Sequence, residues 1–488
     1  FELDGTALGW RLQTRDLYVD RGAQAWPSVT ASLSFDEGPG GASRYHLELP
    51  FARLDDIWPL AELLPPGKVR QSLVAHRPVG DLQGIDAIVE MGPDRVPAVT
   101  VEGRFDRLGW SSAGRIPGVT GLTGRVRTDG GTGQVTIDTD TVTVTAPHLF
   151  TGPLSAWRLT GSASWSQEAE RWSIQSDNLL LATEHFDALA NASISWVPGE
   201  APFVDFDANI GDLDIVSGLD YLPVGVMKPR LVTWLTTALK GGTVRAATLA
   251  LHGALDQFPF DGPDQAGEFT AVLDVEDLVM DFAKDWPAVT EVDSRVRFEG
   301  RTLDASVSDG LFGDARVYNG QVGIDDLKNA VVEITVGSRA PLETVRDYIF
   351  TTPVGVKHQQ LLSDLKPRGP ASTSLSLQLP VRNIRSLDYQ VDIEAAGATL
   401  GYRDWPVDLE DIRGTVIISR SGVFAPAATG VLLSRPVSVS LDTAPLRIDG
   451  VDAPQVLVQA SGRTDANVFA ERIHPPLADI FSGVADWE

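Results

Sequence analysis

Ser374-Leu375-Ser376-Leu377-Gln378-Leu379-Pro380 alternates small or polar side chains with large apolar ones without a break. A period of two puts every Leu on one face of a pleated strand and every polar residue on the other. A helix would scatter the same residues around its axis, since its faces recur about every 3.6 residues. The alternation recurs along the chain. Val135 and Ile137 flank Thr136, Val142 and Val144 flank Thr143, Val332, Ile334 and Val336 alternate with Glu333 and Thr335, and Val437, Val439 and Leu441 repeat the pattern. Asp129-Gly130-Gly131 and Asn319-Gly320 punctuate these runs and read as hairpin turns.

A looser repeat is laid over the strands: an aromatic residue, a Pro close by, a short spacer, then a strand. It runs from Trp26-Pro27 into Ala31, Leu33 and Phe35, and from Trp110 and Ile116-Pro117 into Val126. It returns from Trp286-Pro287 into Val296 and Phe298, and from Trp405-Pro406 into Val416 and Ile418. The spacing is irregular, so the pattern predicts stacked hairpins rather than a short-period solenoid. Helical signals are few. The clearest is Pro229–Lys240, with Pro at its first turn, Gly241 beyond its end, and an apolar stripe of Leu231, Val232, Leu235, Ala238 and Leu239. Shorter helices are expected at Leu54–Leu64, Leu342–Phe350 and Asn467–Phe481, the last broken at Pro475-Pro476.

Composition narrows the function. Over 488 residues the chain is 43% hydrophobic, enough for a large buried surface. It has no Cys, which removes disulfides, thiolate metal sites and Cys nucleophiles. A formal charge of −26 without a basic run argues against nucleic-acid binding and against docking by a polybasic patch. No apolar stretch approaches the roughly 18–20 residues of a membrane-spanning helix, and both ends read as cuts through a longer protein.

The search for chemistry finds little. His46, His76, His148, His185, His252, His358 and His474 show no metal-ligand spacing. Asp55-Asp56, Asp212/Asp214 and Asp325-Asp326 read as solvated pairs rather than acid–base or calcium groups. Gly130-Gly131-Thr132-Gly133 joins two alternating strands, so it is a turn and not a phosphate loop. The Trp-Pro pairs read as packing and turn residues rather than a ligand cage. No catalytic residue, metal or cofactor is called for, and the chain is not read as an enzyme.

Leu219-Asp220-Tyr221-Leu222-Pro223, the helix carrying Trp234-Leu235, Gly242-Thr243-Val244-Arg245 and Phe258-Pro259-Phe260 resemble the central region of YhdP-like proteins of the AsmA-like superfamily. Thr352-Pro353-Val354-Gly355, Gly369-Pro370 with the strand after it, and Ile412-Arg413-Gly414-Thr415-Val416 are similar to the same family. The resemblance covers most of the chain. It implies a mostly β protein with an elongated, curled antiparallel sheet, a taco-like groove built from repeated hairpins with a few short helices. It further implies a periplasmic body whose parent is anchored in the inner membrane, and carriage of phospholipid toward the outer membrane.

The physics is compatible with such a groove. A sheet with one apolar face must hide it, and few helices are on offer to cover this one. Residues 1–488 are therefore expected to form one continuous β-groove body with a helical insert at 228–240. About 20 to 25 long strands, spaced about 4.8 Å apart, would give a rod on the order of 100 Å. The residues expected to line the groove are Val135, Ile137, Val142, Val144, Leu249, Leu251, Val296, Phe298, Val332, Ile334, Leu375, Leu377, Val391, Ile393, Val416 and Ile418. Leu231, Leu235 and Leu239 are expected to pack the 228–240 helix on the trough or on a sheet edge. A charge placed in an open trough, at Leu377 for example, should cost less than in a packed core because it can reach water. The partners implied are phospholipids and the two membranes. A periplasmic scaffold with a packed core is the competing reading. A carbohydrate-active β-helix is a third, and it would need clustered carboxylates that the sequence does not supply.

Overall fold

A computed structural model describes residues 1–6, 8–20, 25–38, 41–57, 67–92, 97–258, 260, 266–284, 286–352, 363–383, 386–403, 405–448, 451–473, 480 and 482–488. Strand accounts for 67% of the described residues and helix for 12%, so the alternating pattern, not the helical stripes, dictates the architecture. The described strands, from Glu2–Thr6 to Val484–Trp487, form one open antiparallel sheet of 28 strands that does not close into a barrel. The described helices are α1 (Leu54–Ile57), α2 (Lys68–His76), α3 (Ile215–Gly218), α4 (Pro229–Ala238), α5 (Leu342–Thr351) and α6 (Ala466–Ile473). The chain divides into two compact units, residues 1–236 with 244–271, and residues 237–243 with 272–488.

Hairpin geometry explains where the helices go. In the first unit the tight connections 6–9, 129–132 and 168–171 lie at one end of the strands. The connections holding α1 and α2, the segment 110–118, and α3 with α4 all leave from the opposite end. In the second unit the turns 299–302 and 419–422 share one end, and α5 and α6 lie at the other. Each consecutive antiparallel strand reverses direction, so features two strands apart return to the same end. That rule also places the aromatic-Pro repeat: within each unit its copies enter strands from the helix-bearing end.

Two turn expectations resolve differently. Asp129 pairs with Thr132, which makes Gly130-Gly131 a two-residue turn, and Gly130 takes the φ of 60° that glycine adopts without strain. Asn319-Gly320, by contrast, lies inside the strand Ala315–Ile324. The pairing register shifts between Tyr318 and Gln321, and Asn319 has φ 52°. The pair is a β-bulge: the extra residue bends a strand instead of ending it.

The helix expectations are corrected in detail. α4 ends at Ala238, and Leu239 and Lys240 open the strand Leu239–Ala254. The inward stripe of α4 is Val232, Leu235 and Ala238, whereas Leu231 is 44% exposed and does not pack the helix down. The Leu54–Leu64 expectation is described only as far as Ile57, and the Pro475-Pro476 break lies outside the described residues. The repeat aromatics mostly pack. Trp26 is buried, donates its indole N–H to Asp56 at 2.8 Å and meets Phe51 edge-on. Trp110 donates to the Pro117 carbonyl at 2.9 Å, which joins aromatic and Pro within one repeat. Trp405 is exposed instead.

Candidate functional site

Residues directly opposite in an antiparallel pair share a face, so the strand registers decide whether the apolar sets merge. In the second unit they do. Val296 lies opposite Ala305, Ala305 opposite Val322, Val322 opposite Ile334, Ile334 opposite Leu377 and Leu377 opposite Tyr389. A neighbouring row runs Val336, Leu375, Val391, Ile418, Val423. Phe298, Val332, Ile393 and Val416 extend the same face at positions two residues along. The opposite face is polar: Thr335, Ser376, Gln390 and Ser419 are successive neighbours across it.

The first unit is built likewise. Leu12, Leu33, Leu47, Ala87 and Val101 form one cross-strand row. Trp10, Phe35 and Tyr45 form the adjacent one, with ring centroids 6.1 and 5.0 Å apart. Two residues beyond Val101, Gly103 leads into Val126, Val135 and Ala163, and Ile137 lies between Gly124 and Gly161. Gly133 sits under Trp165, where a Cβ would approach the indole to 2.1 Å, so the bare backbone gives the ring its seat. Val142 and Val144 pair with Ala156 and Leu154, and Val144 also faces Val119. Leu249 and Leu251 are half-buried in the strand Leu239–Ala254.

The two faces are not covered alike. Val135 and Ile137 are half-buried between the exposed Gln134, Thr136 and Asp138. In the second unit, Leu377, Val391, Ile393 and Ile418 are only 2–8% exposed and belong to a packed apolar cluster with Val345 and Ile349 of α5. Ala315, Ala340 and Ala371 also join it, small side chains at the strand ends that let the helix come close. Here α5 covers the strand ends at Ala340 and Ala371, and the rest of the cluster packs on the face that the sequence reading left open. The expectation that a charge at Leu377 would be cheap is corrected accordingly: that side chain lies in a dry, packed setting.

Polar groups in this architecture serve the scaffold. Asp81 is buried and accepts from Arg53 at 2.8 Å and from Arg107 at 3.2 Å. The bond that Arg53 donates to Asp81 raises the Arg53 pKa above its usual value. Asp55 accepts from the Gly80 amide at 2.9 Å, so the Asp55-Asp56 pair is engaged in hydrogen bonds rather than merely solvated. Asp214 caps α3 through the Ser217 amide, and that bond holds its carboxyl below the ordinary range. Burial pushes the Tyr389 phenol up. Sequence spacing did miss one grouping. His46, Glu48 and Asp86 present ligand-type atoms within 4.8 Å of one another, with His46 Nε2 2.9 Å from Asp86 Oδ1. Asp86 comes from the neighbouring strand, so no linear motif announces it. His358 and His474 lie outside the described residues.

Fold and face together define a class of protein: a large open antiparallel sheet with one apolar and one polar face, whose described polar groups serve as caps and ion pairs. Over residues 1–488 the chain matches the family model described as YhdP protein, and it belongs to that family. It is 21% identical over 495 residues to the intermembrane phospholipid transporter YhdP of Escherichia coli (strain K12). That match covers 98% of this chain and 38% of the relative, so the chain spans well under half of the relative's length. No solved structure matches. No described helix is long and apolar enough to cross a membrane.

Proposed function

We propose that this chain shields phospholipid acyl chains in an apolar groove, carrying lipid across the periplasm between the inner and outer membranes as part of a bridge-like transporter. The observation that carries the reading is the set of apolar cross-strand rows in each unit, backed by polar positions on the opposite face. Each acyl CH₂ exposed to water costs roughly 0.8 kcal/mol, so two chains cost on the order of 20 kcal/mol in transit. An apolar face removes most of that cost, and because it makes no directional bonds it lets the chains slide. In this reading Val135, Ile137, Val296, Val332 and Ile334 touch lipid directly, and the parent protein is anchored in the inner membrane. The relative's printed name supports phospholipid as the cargo.

One observation favours a scaffold instead. Under α5 the face is packed, as a scaffold core would be. Photo-crosslinking in cells separates the two readings. Probes at 137 and 334 should form phospholipid adducts, while probes at 136 and 335, on the opposite face, should form few. Equal adducts on both faces, or none at 137 and 334, would overturn lipid carriage and leave the scaffold.

A further inference from the structure

The 35 residues 221–255 contain no Asp or Glu, in a chain whose 488 residues include 66 of them. The same stretch holds Lys228, Arg230, Lys240 and Arg245. Arg245 is paired with Asp212 at 3.0 Å, whereas Lys228 and Arg230 are exposed and have no ion-pair partner among the described residues. Beside them three large apolar side chains face solvent: Val226 is 69% exposed, Leu231 44% and Trp234 42%. Leu231 and Trp234 are one helical turn apart on α4, and Arg230 lies four residues from Trp234 on the same flank. The other side of the helix carries Val232, Leu235 and Ala238, turned into the protein.

This exposure is built in rather than the result of a loose end. Tyr221 meets Phe186 edge-on at 4.9 Å, and Asp214 caps α3. The Gly225 amide donates to the Leu149 carbonyl at 2.9 Å, in an approach so close that a Cβ there would come within 2.1 Å of the His148 carbonyl. The segment is pinned from inside, and Val226, Leu231 and Trp234 are left exposed.

We propose that this rim, Val226 to Trp234, docks on the surface of an anionic phospholipid bilayer. An amphipathic indole and a Leu entering the headgroup boundary, with Lys and Arg stems reaching the phosphates, is interfacial chemistry. The chain's charge of −26 opposes it only at long range: at physiological salt the screening length is about 8 Å, so the side chains at the contact decide it. Leu231 and Trp234 are exposed and lie outside the cross-strand rows that would carry lipid. The inference does not depend on lipid carriage and can fail separately from it.

Flotation of the full chain with vesicles tests it, using phosphatidylglycerol mixed with phosphatidylethanolamine against phosphatidylcholine alone. The chain should float with the anionic vesicles, and added salt should weaken the binding. Lys228→Gln/Arg230→Gln should weaken it on the order of tenfold or more, since each basic residue near such a surface contributes about 1 kcal/mol. Leu231→Ser/Trp234→Ser should abolish it, while Trp405→Ser, an exposed aromatic elsewhere, should leave it unchanged. Phospholipid extracted from the purified chain should stay the same in all three variants, which separates docking from carriage. Failure to float, equal binding to phosphatidylcholine, or binding untouched by both rim variants would overturn the proposal. So would saturable binding of a soluble short-chain phosphatidylglycerol without vesicle binding, which would assign the rim to single lipids.

Discussion

Leu377→Asp and Ile137→Asp make the same kind of change at two positions that the sequence treats as equivalent, and the structure predicts very different costs. Leu377 is 6% exposed, lies between Ile334 and Tyr389 on the adjacent strands, and shares a packed cluster with Val345 and Ile349. Removing the Leu side chain from such a site costs about 2–5 kcal/mol. An unpaired carboxylate left there adds several more. The sum rivals the roughly 5–15 kcal/mol that holds a domain folded, so the second unit should open around this cluster. Ile137 is half-buried beside the exposed Thr136 and Asp138, and a carboxylate there can turn to water. Its loss should be about 1–2 kcal/mol, mostly forfeited apolar burial. Urea denaturation of the two variants, with limited proteolysis to locate the opened region, reads the difference. The pH dependence has a definite sign. Burial raises the introduced carboxyl's pKa in the folded state, so its penalty is largest at neutral pH and shrinks as pH falls toward the unfolded value of about 3.9. Equal destabilisation by the two variants, or a loss at Leu377 that does not ease on acidification, would refute the claim that this part of the face is packed.

Ser376→Asp, on the exposed polar face one residue from Leu377, should change stability by less than about 0.5 kcal/mol in the same urea titration. On α4, Leu235→Asp should destabilise more than Leu231→Asp, because only Leu235 belongs to the inward stripe; thermal melts of both variants would test that order. Asn319→Ala should cost about 1 kcal/mol by urea titration and Asn319→Gly little, since the bulge holds φ at 52°. Asp214→Ala should cost roughly 0.5–1 kcal/mol at neutral pH. The Asp214 carboxyl is held below its usual pKa, so the cap contributes fully above the unfolded value and is lost as pH falls through the folded one. The gap between wild type and variant should therefore close in acid, as measured by stability against pH.

The sequence by itself determined the β class, the division into one apolar and one polar face, and the family. Those properties are local. Alternation at Leu375, Leu377 and Leu379 sets the face of each residue whatever its strand pairs with, and the Gly130-Gly131 turn needs only glycine's backbone freedom. It could not say whether Asn319-Gly320 ends a strand or bends one, because turn and bulge use the same residues and differ only in what pairs across them. Nor could it bring Asp86 beside His46 or distinguish Leu377 from Ile137. Register joined the separate alternations into rows that cross many strands, and register belongs to pairs of strands. The tertiary structure alone laid α5 on the Ala340 and Ala371 strand ends, dried Leu377 and Ile418, and turned Leu231 and Trp234 outward. The apolar stripe of a helix says that it will bury something, but which flank stays wet depends on the surface it meets.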